Sequence, residues 1–289
     1  MRIFFIRHGE TVANVAGVYA GVSDSPLTAH GVLQAKRLGA HLAARAPTVV
    51  RIFSSDLQRA ANTAQAVIDA QALKSSGILD REPLRLVKLP DLRERDFRSA
   101  EGKRHGTPHP DAETYAEMHR RAERFIETRL APILCDEKLA SKDVSMVVVA
   151  HGQFLSFLVR DVLARFAPKE LARLADHNWS LWGNTGYMEA VVKVTAPSQP
   201  AAPAEGVSSS SPPTNGTSTS TSTSTNPPHK GWAVMSVVKV NAQDHLEGLK
   251  RTRGGIGSAQ FDSKQKTLDS FVRPNPKKRM FEAPPGDGL

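Results

Sequence analysis

Two histidines stand where they could do chemistry. His8 follows the apolar run Ile3 to Ile6 and is flanked by Arg7, Gly9, Glu10 and Thr11, while His151 ends the apolar stretch VSMVVVA far downstream. An imidazole directly after an arginine, at the carboxyl end of a buried strand, suits attack on phosphorus, because cations can hold the phosphoryl oxygens while a neutral ring nitrogen supplies the electron pair. The adjacent Gly9 would let the backbone approach a ligand closely. The attacking nitrogen must be unprotonated, so the other one needs an acceptor such as a backbone carbonyl. The competing local reading is two surface histidines that merely follow strands. His105 and His109 in HGTPH have no carboxylate or cysteine at ligand spacing and read as a solvated loop, and His30, His41, His119 and His177 read as helix or loop surface. Cys135 lies in LAPILC, an apolar pattern that fits a core position better than a nucleophile.

The elements that must position these groups follow from apolar periodicity. Gly17 to Pro26 is rich in small and turn-forming residues and predicts a loop over the pocket. Thr28 is a good N-cap for a helix to about Ala44, with Val32, Leu33, Leu38 and Leu42 on one side. Residues 49–55 predict a strand running into Asp56, whose carboxylate can cap the helix that carries Arg59. A cation there, beside free backbone amides, can help hold an anion. Residues 84–89 predict a third strand, ended by Pro90 and followed by the loop DLRERDFRSAEG. Residues 112–130 predict a helix, 144–150 a strand buried on both faces, and 153–165 the helix behind His151. Strand character returns at 182–194, which includes Asn184, Thr185 and Gly186, and at 232–241. Strands alternating with helices predict an α/β fold of three layers, a mostly parallel sheet with helices on both faces.

Five stretches in order resemble the histidine phosphatase superfamily, the phosphoglycerate mutase-like fold. They are RHGETxxN at 7–14, GxxDxPLTxxGxxQA from Gly21 to Ala35, SSDLxRAxxTA from Ser54 to Ala64, LREx(D)F from Leu92 to Phe97, and AHG at Ala150 to Gly152. The resemblance covers roughly residues 1–195 and resumes at Trp232 to Leu246. It implies that His8 is the nucleophile and forms a phosphohistidine, that Arg7, Arg59 and a protonated His151 cradle the transferring group, and that Asn14 is a further phosphate ligand. One branch of the superfamily places an aspartate after the second histidine, where this chain has Gly152. The other branch uses a glutamate in the loop after the third strand, which here is Glu94, with Asp96 and Glu101 nearby. Two departures stand out: Arg98 replaces a glycine of that branch, and Asp111, Ala112, Glu113 and Thr114 replace a GGES element. Mutases of the family carry a longer basic lid after the glutamate loop. Only Glu101 to Asp111 separate that loop from the next helix here, which favours a hydrolase acting on a small phosphorylated substrate without metal or cofactor. The alternative is a weak or inactive phosphatase-fold protein that acts as a nuclear interaction partner.

Composition frames both readings. The chain has 289 residues, one cysteine and no apolar run long enough for a signal peptide or membrane span, which predicts an intracellular protein of cytoplasm or nucleus. Residues 196–230, with their STSTSTST run, cannot bury enough apolar surface to offset their ordering entropy and predict a disordered insertion within a catalytic domain of residues 1–249. The net charge is +9, and from Leu246 to Leu289 nine Lys or Arg face five Asp or Glu, a surplus of four carried by the stretch that includes the basic tail (250–289). Within it QKTLDSFV, residues 265–272, resembles the box by which nuclear proteins bind the DNA sliding clamp. Leu268, Phe271 and Val272 would form the plug and Gln265 the polar contact, with KKR nearby as a nuclear import signal. Direct nucleic-acid binding by the tail is a further reading.

Overall fold

A computed structural model describes residues 1–74, 83–168, 182–195 and 232–250. Its centre is β1 (Arg2–Arg7), followed by α1 (Val12–Ala16), α2 (Ala29–Arg45), β2 (Thr48–Ser55), α3 (Gln58–Lys74) and β3 (Leu86–Leu89). Then come α4 (Tyr115–Phe125), which runs through a π turn at Ile126–Leu130 into α5 (Ala131–Leu134), α6 (Glu137–Ala140), β4 (Val144–Ala150), α7 (Gly152–Phe166), β5 (Tyr187–Thr195) and β6 (Trp232–Ala242). The six strands form one sheet in the order β3-β2-β4-β1-β5-β6. The first four of that order are parallel; β5 runs antiparallel to β1, and β6 antiparallel to β5.

The layering follows from the two-residue period of the central strands. Ile3 and Phe5 of β1, with Met146 and Val148 of β4, enter a core beneath α4 and α7. Phe4 and Ile6, with Val147 and Val149, enter the opposite core beneath α2 and α3. Continuous apolar runs are what a strand needs when helices cover both its faces. Each fully buried side chain of this kind contributes roughly 1.5–3 kcal/mol.

Several boundaries and contacts differ from the sequence expectations. In α2 the buried positions include Gln34, Ala35, Leu38 and Leu42, whereas Leu33 is exposed, because five residues before Leu38 is about 140° round the helix. Asp56 does not cap α3: it accepts two hydrogen bonds from Arg93 (2.8 and 2.6 Å), and Asp24 takes the Gln58 amide instead. The fourth helix starts at Tyr115, where Thr114 and Glu117 close a capping box, so the hydroxyl residue of the altered GGES element caps the helix. Residues 182–186 form a loop, and β5 begins only at Tyr187. Gly9 makes its close approach to protein: a Cβ there would lie 2.7 Å from the Gly31 carbonyl at the start of α2. The Ser/Thr-rich tract, His177 and the clamp-box-like tail lie outside the described residues; β5 and β6, which flank the tract, pair directly. No helix among the described residues is long and apolar enough to cross a membrane.

Arg98 occupies the left-handed region with φ of 46°, the conformation that glycine supplies without strain. The arginine therefore holds this conformation at a cost of about 1–2 kcal/mol. Arg98→Gly should raise the melting temperature by about 2–4 °C per kcal/mol recovered, read by calorimetry; an unchanged or lower value would contradict this account.

Candidate active site

His8 is fixed from every side. Its backbone N–H donates to Ala150 O (3.1 Å), and its carbonyl accepts from Thr185 N (3.1 Å) and Asn184 Nδ2 (3.3 Å). The loop beyond is tied equally firmly: Gly9 N donates to Thr63 Oγ1, Glu10 N to Gln34 Oε1, and the Glu10 carboxylate accepts from Thr28. The His8 ring places Nδ1 2.7 Å from the Gly9 carbonyl. A carbonyl can only accept, so Nδ1 carries the hydrogen and Nε2 keeps the lone pair. This is the acceptor that the sequence required and could not supply by name.

The ends of the adjacent parallel strands β1 and β4 bring the second histidine to the first. The ring centroids of His8 and His151 are 5.1 Å apart, and both rings are buried. Arg59, 2% exposed, reaches them from the first turn of α3. It donates from Nε to His151 Nδ1 (3.2 Å), from Nη1 to Ser23 O (2.9 Å) and from Nη2 to Gly21 O (2.6 Å). With Nδ1 accepting, the hydrogen of a neutral His151 sits on Nε2, and that buried atom has no protein partner. Arg7 donates from Nη1 to the Trp182 carbonyl, and its buried Nε is likewise unpartnered. Asn14 accepts through Oδ1 from Thr11 N and Asn184 Nδ2, which leaves its own Nδ2 for the cavity that it helps to line. Arg7, His8, Asn14 and Arg59 line a cavity of about 250 Å³, which His151 adjoins through its contacts with His8 and Arg59.

Burial, with Arg59 and Arg7 adding repulsion, holds the His8 imidazole well below its ordinary value of 6.5. His151 is held well below it too, by burial first and then by Arg59, His8 and Arg7. Desolvation beside two guanidinium groups favours the neutral His151 ring here, whereas the protonated His151 expected from sequence is one beside a bound phosphate dianion.

Glu94 lines the same cavity. Its carboxylate accepts from the amides of Gln153 (3.3 Å) and Phe154 (3.0 Å) at the start of α7, and from Arg95 N (3.0 Å). The His151 side chain makes no cap for α7, so Glu94 takes over free amides of that first turn. Its neighbours point elsewhere, Arg93 to Asp56 and Arg95 to the Glu113 carbonyl. Of the six residues proposed from sequence, Arg7, His8, Asn14, Arg59 and Glu94 therefore line one cavity, and His151 packs against His8 and Arg59 beside it.

Other supports gave no sequence signal. Arg121 of α4 makes a two-point pair with Glu113 (2.6 and 2.8 Å) and donates to the carbonyls of Asp91 (2.8 Å) and Arg93 (3.0 Å), which holds the Glu94 loop. Thr185 sits at φ 56°, an unusual place for a β-branched residue, directly behind His8. Its hydroxyl donates to Asn184 O and so accepts from His245 Nε2 (2.8 Å), a buried histidine beyond β6. His41 is not plain helix surface: it meets the Tyr187 hydroxyl (3.1 Å) in the same cluster. His119 pairs with Asp161 (2.7 Å), and His105 borders the cavity mouth rather than standing free in a loop. Among the described residues no group of three or more His, Cys, Asp or Glu could hold a metal ion.

His8, His151, His41 and His245 all have lowered pKa values, His245 to about 4, each through burial first. A histidine depressed in the folded state binds its proton first in the unfolded chain. Stability is thus full above pH 6.5 and lost as pH falls, by up to about 1.4 kcal/mol per pH unit for each extra proton bound by the unfolded state. Melting curves from pH 7.5 to 4.5 should show the midpoint falling below pH 6.5, and His245→Gln should flatten the fall.

Comparison with known proteins bears on this arrangement. The family model described as histidine phosphatase superfamily (branch 1) matches residues 3–183. The adenosylcobalamin/alpha-ribazole phosphatase of Salmonella typhi is 33% identical over 183 residues, covering 57% of this chain and 80% of that protein. A Schizosaccharomyces pombe protein named as a phosphatase is 28% identical over 273 residues, covering 92% of this chain and 78% of its own. Among solved structures, one titled mycobacterial hydrolase 1 aligns with a TM-score of 0.55 at 21% identity, over 83% of this chain and 98% of that one, a likeness of fold.

Proposed function

Because the chain belongs to the histidine phosphatase superfamily, branch 1, and is similar to proteins named as phosphatases, we propose that it hydrolyses a phosphomonoester through a phosphohistidine on His8. The observation that carries this reading is the pairing of a buried His8, its Nδ1 committed to Gly9 O, with unpartnered buried donors on Arg7 and His151. An arriving phosphate satisfies Arg7 Nε–H, His151 Nε2–H and Asn14 Nδ2–H. His8 Nε2 attacks phosphorus, the bond to the ester oxygen breaks, and that oxygen takes its electron pair and a proton from Glu94. Water then attacks the phosphohistidine, its proton goes to Glu94, and the N–P electron pair returns to Nε2. Donors fixed before the substrate arrives favour the charge that grows in the transition state, since they need no reorganisation.

The decisive variant is His8→Ala, which should lower turnover of an aryl phosphate by at least about 10³-fold and abolish acid-labile labelling by radioactive substrate phosphate. Undiminished turnover rules the mechanism out. Glu94→Gln should lower kcat for an alkyl phosphate by roughly 10²–10⁴-fold and for 4-nitrophenyl phosphate by less, because nitrophenolate leaves without a proton. Equal losses would remove Glu94 from the proton-donor role.

The tail supports a separate proposal, resting on its residue pattern alone: Gln265, Leu268, Phe271 and Val272 dock on a DNA sliding clamp, which would place the protein in the nucleus as well as the cytoplasm. Calorimetry of residues 260–280 with purified clamp tests it, and absence of binding removes it.

A further inference from the structure

The cavity has a polar floor and an aromatic mouth. Beyond the groups that face phosphate, it is bordered by Val18, Tyr19, Phe97, His105 and Trp182. The Tyr19 and Phe97 rings stack at 4.3 Å with 30° between their planes, and the His105 ring stands 4.9 Å from Tyr19. This wall is built into the backbone. Tyr19 N donates to Lys103 O, Gly102 N to Tyr19 O, Gly106 N to the Tyr19 hydroxyl, and His105 N to Gly17 O. The Glu101 carboxylate accepts from the amides of Val22 and Ser23 and so ties the same loop down on its other side. Two chain segments thus hold a preformed stack of rings at the entrance.

Charge sharpens the point. The charged side chains bordering the cavity are Arg7, Arg59 and Glu94, all on the floor. A second anionic group on the alcohol half of a substrate would meet rings there. Planar π surfaces are matched best by another ring, through offset stacking or edge contacts that a saturated group of equal size cannot make.

We propose that the alcohol half of the substrate carries an aromatic or heteroaromatic ring, placed against Tyr19, Phe97 and His105 while its phosphate occupies the floor. The chemical step belongs to the phosphatase reading above, whereas ring selection can be read by binding alone.

The test pairs 2-phenylethyl phosphate with 2-cyclohexylethyl phosphate, which match in length and in the basicity of the leaving alkoxide and differ in the π system. Calorimetry with the His8→Ala protein should give about fivefold tighter binding of the phenyl compound, and the wild-type kcat/KM ratio should follow. Tyr19→Leu should bring both ratios close to one, Tyr19→Phe should preserve them, and His105→Ala, an exposed position, should lower them without endangering the fold. Equal or weaker binding of the phenyl compound overturns the proposal, as does a preference unmoved in both Tyr19→Leu and His105→Ala. Phenyl-selective binding without any hydrolysis supports it and overturns the phosphatase reading alone.

Discussion

The pocket depends on a buried guanidinium that no carboxylate neutralises by direct contact. Arg59 is 2% exposed, and its hydrogen bonds go to one imidazole and two backbone carbonyls, not to an acid. Removing such a charge from water costs several kcal/mol, and neutral acceptors return only part of that. The site is therefore short of negative charge until an anion arrives. The neutrality of both histidines follows from the same shortage, since a third or fourth positive charge beside Arg59 and Arg7 would be costlier still. A nucleophile with a free electron pair and an anion-seeking cavity are two results of one electrostatic condition.

That condition is sustained by parts of the chain far apart in sequence. Two strand ends supply the histidines, α3 supplies the arginine, and the loop after β3 supplies the glutamate. Arg121 and Glu113 set the height of the glutamate loop, and Asp56 draws Arg93 away from it. Glu94 joins the two halves, because the amides it accepts from open the helix that follows His151. Moving that carboxylate would disturb the start of α7 and the cavity together.

Much of this was legible in the sequence. The runs IFFI and VSMVVVA specify strands covered on both faces, and the alternation of strands with helices fixes the layers. The positions of His8, Arg59 and His151 follow once each is seen to sit at a strand's carboxyl end or just beyond one. What could not be read depends on conformation or on distant pairing. Thr185 carries no mark of its left-handed backbone, because a strand-forming residue type occupies a loop position. Asp56 has the composition of a helix cap, but Arg93, distant in sequence, competes for it and wins with two charge-assisted bonds. Leu33 looks like core by type and falls on the outer side by helical phase. His245 shows no periodic partner, and its role exists only because β6 returns the chain to the loop behind His8.

The position of β1 has a consequence for how the molecule is made. The strand that leads into His8 precedes both of its neighbours along the chain, yet it lies inside the sheet, with Arg2 beside Ser145 on one flank and Val191 on the other. Neither neighbour has been synthesised when β1 appears, so an apolar strand with both edges unpaired must wait until β4 and then β5 have followed it. During that interval the nascent chain resembles an aggregation-prone peptide more than an enzyme, and shielding of β1 would govern how much protein reaches the native state.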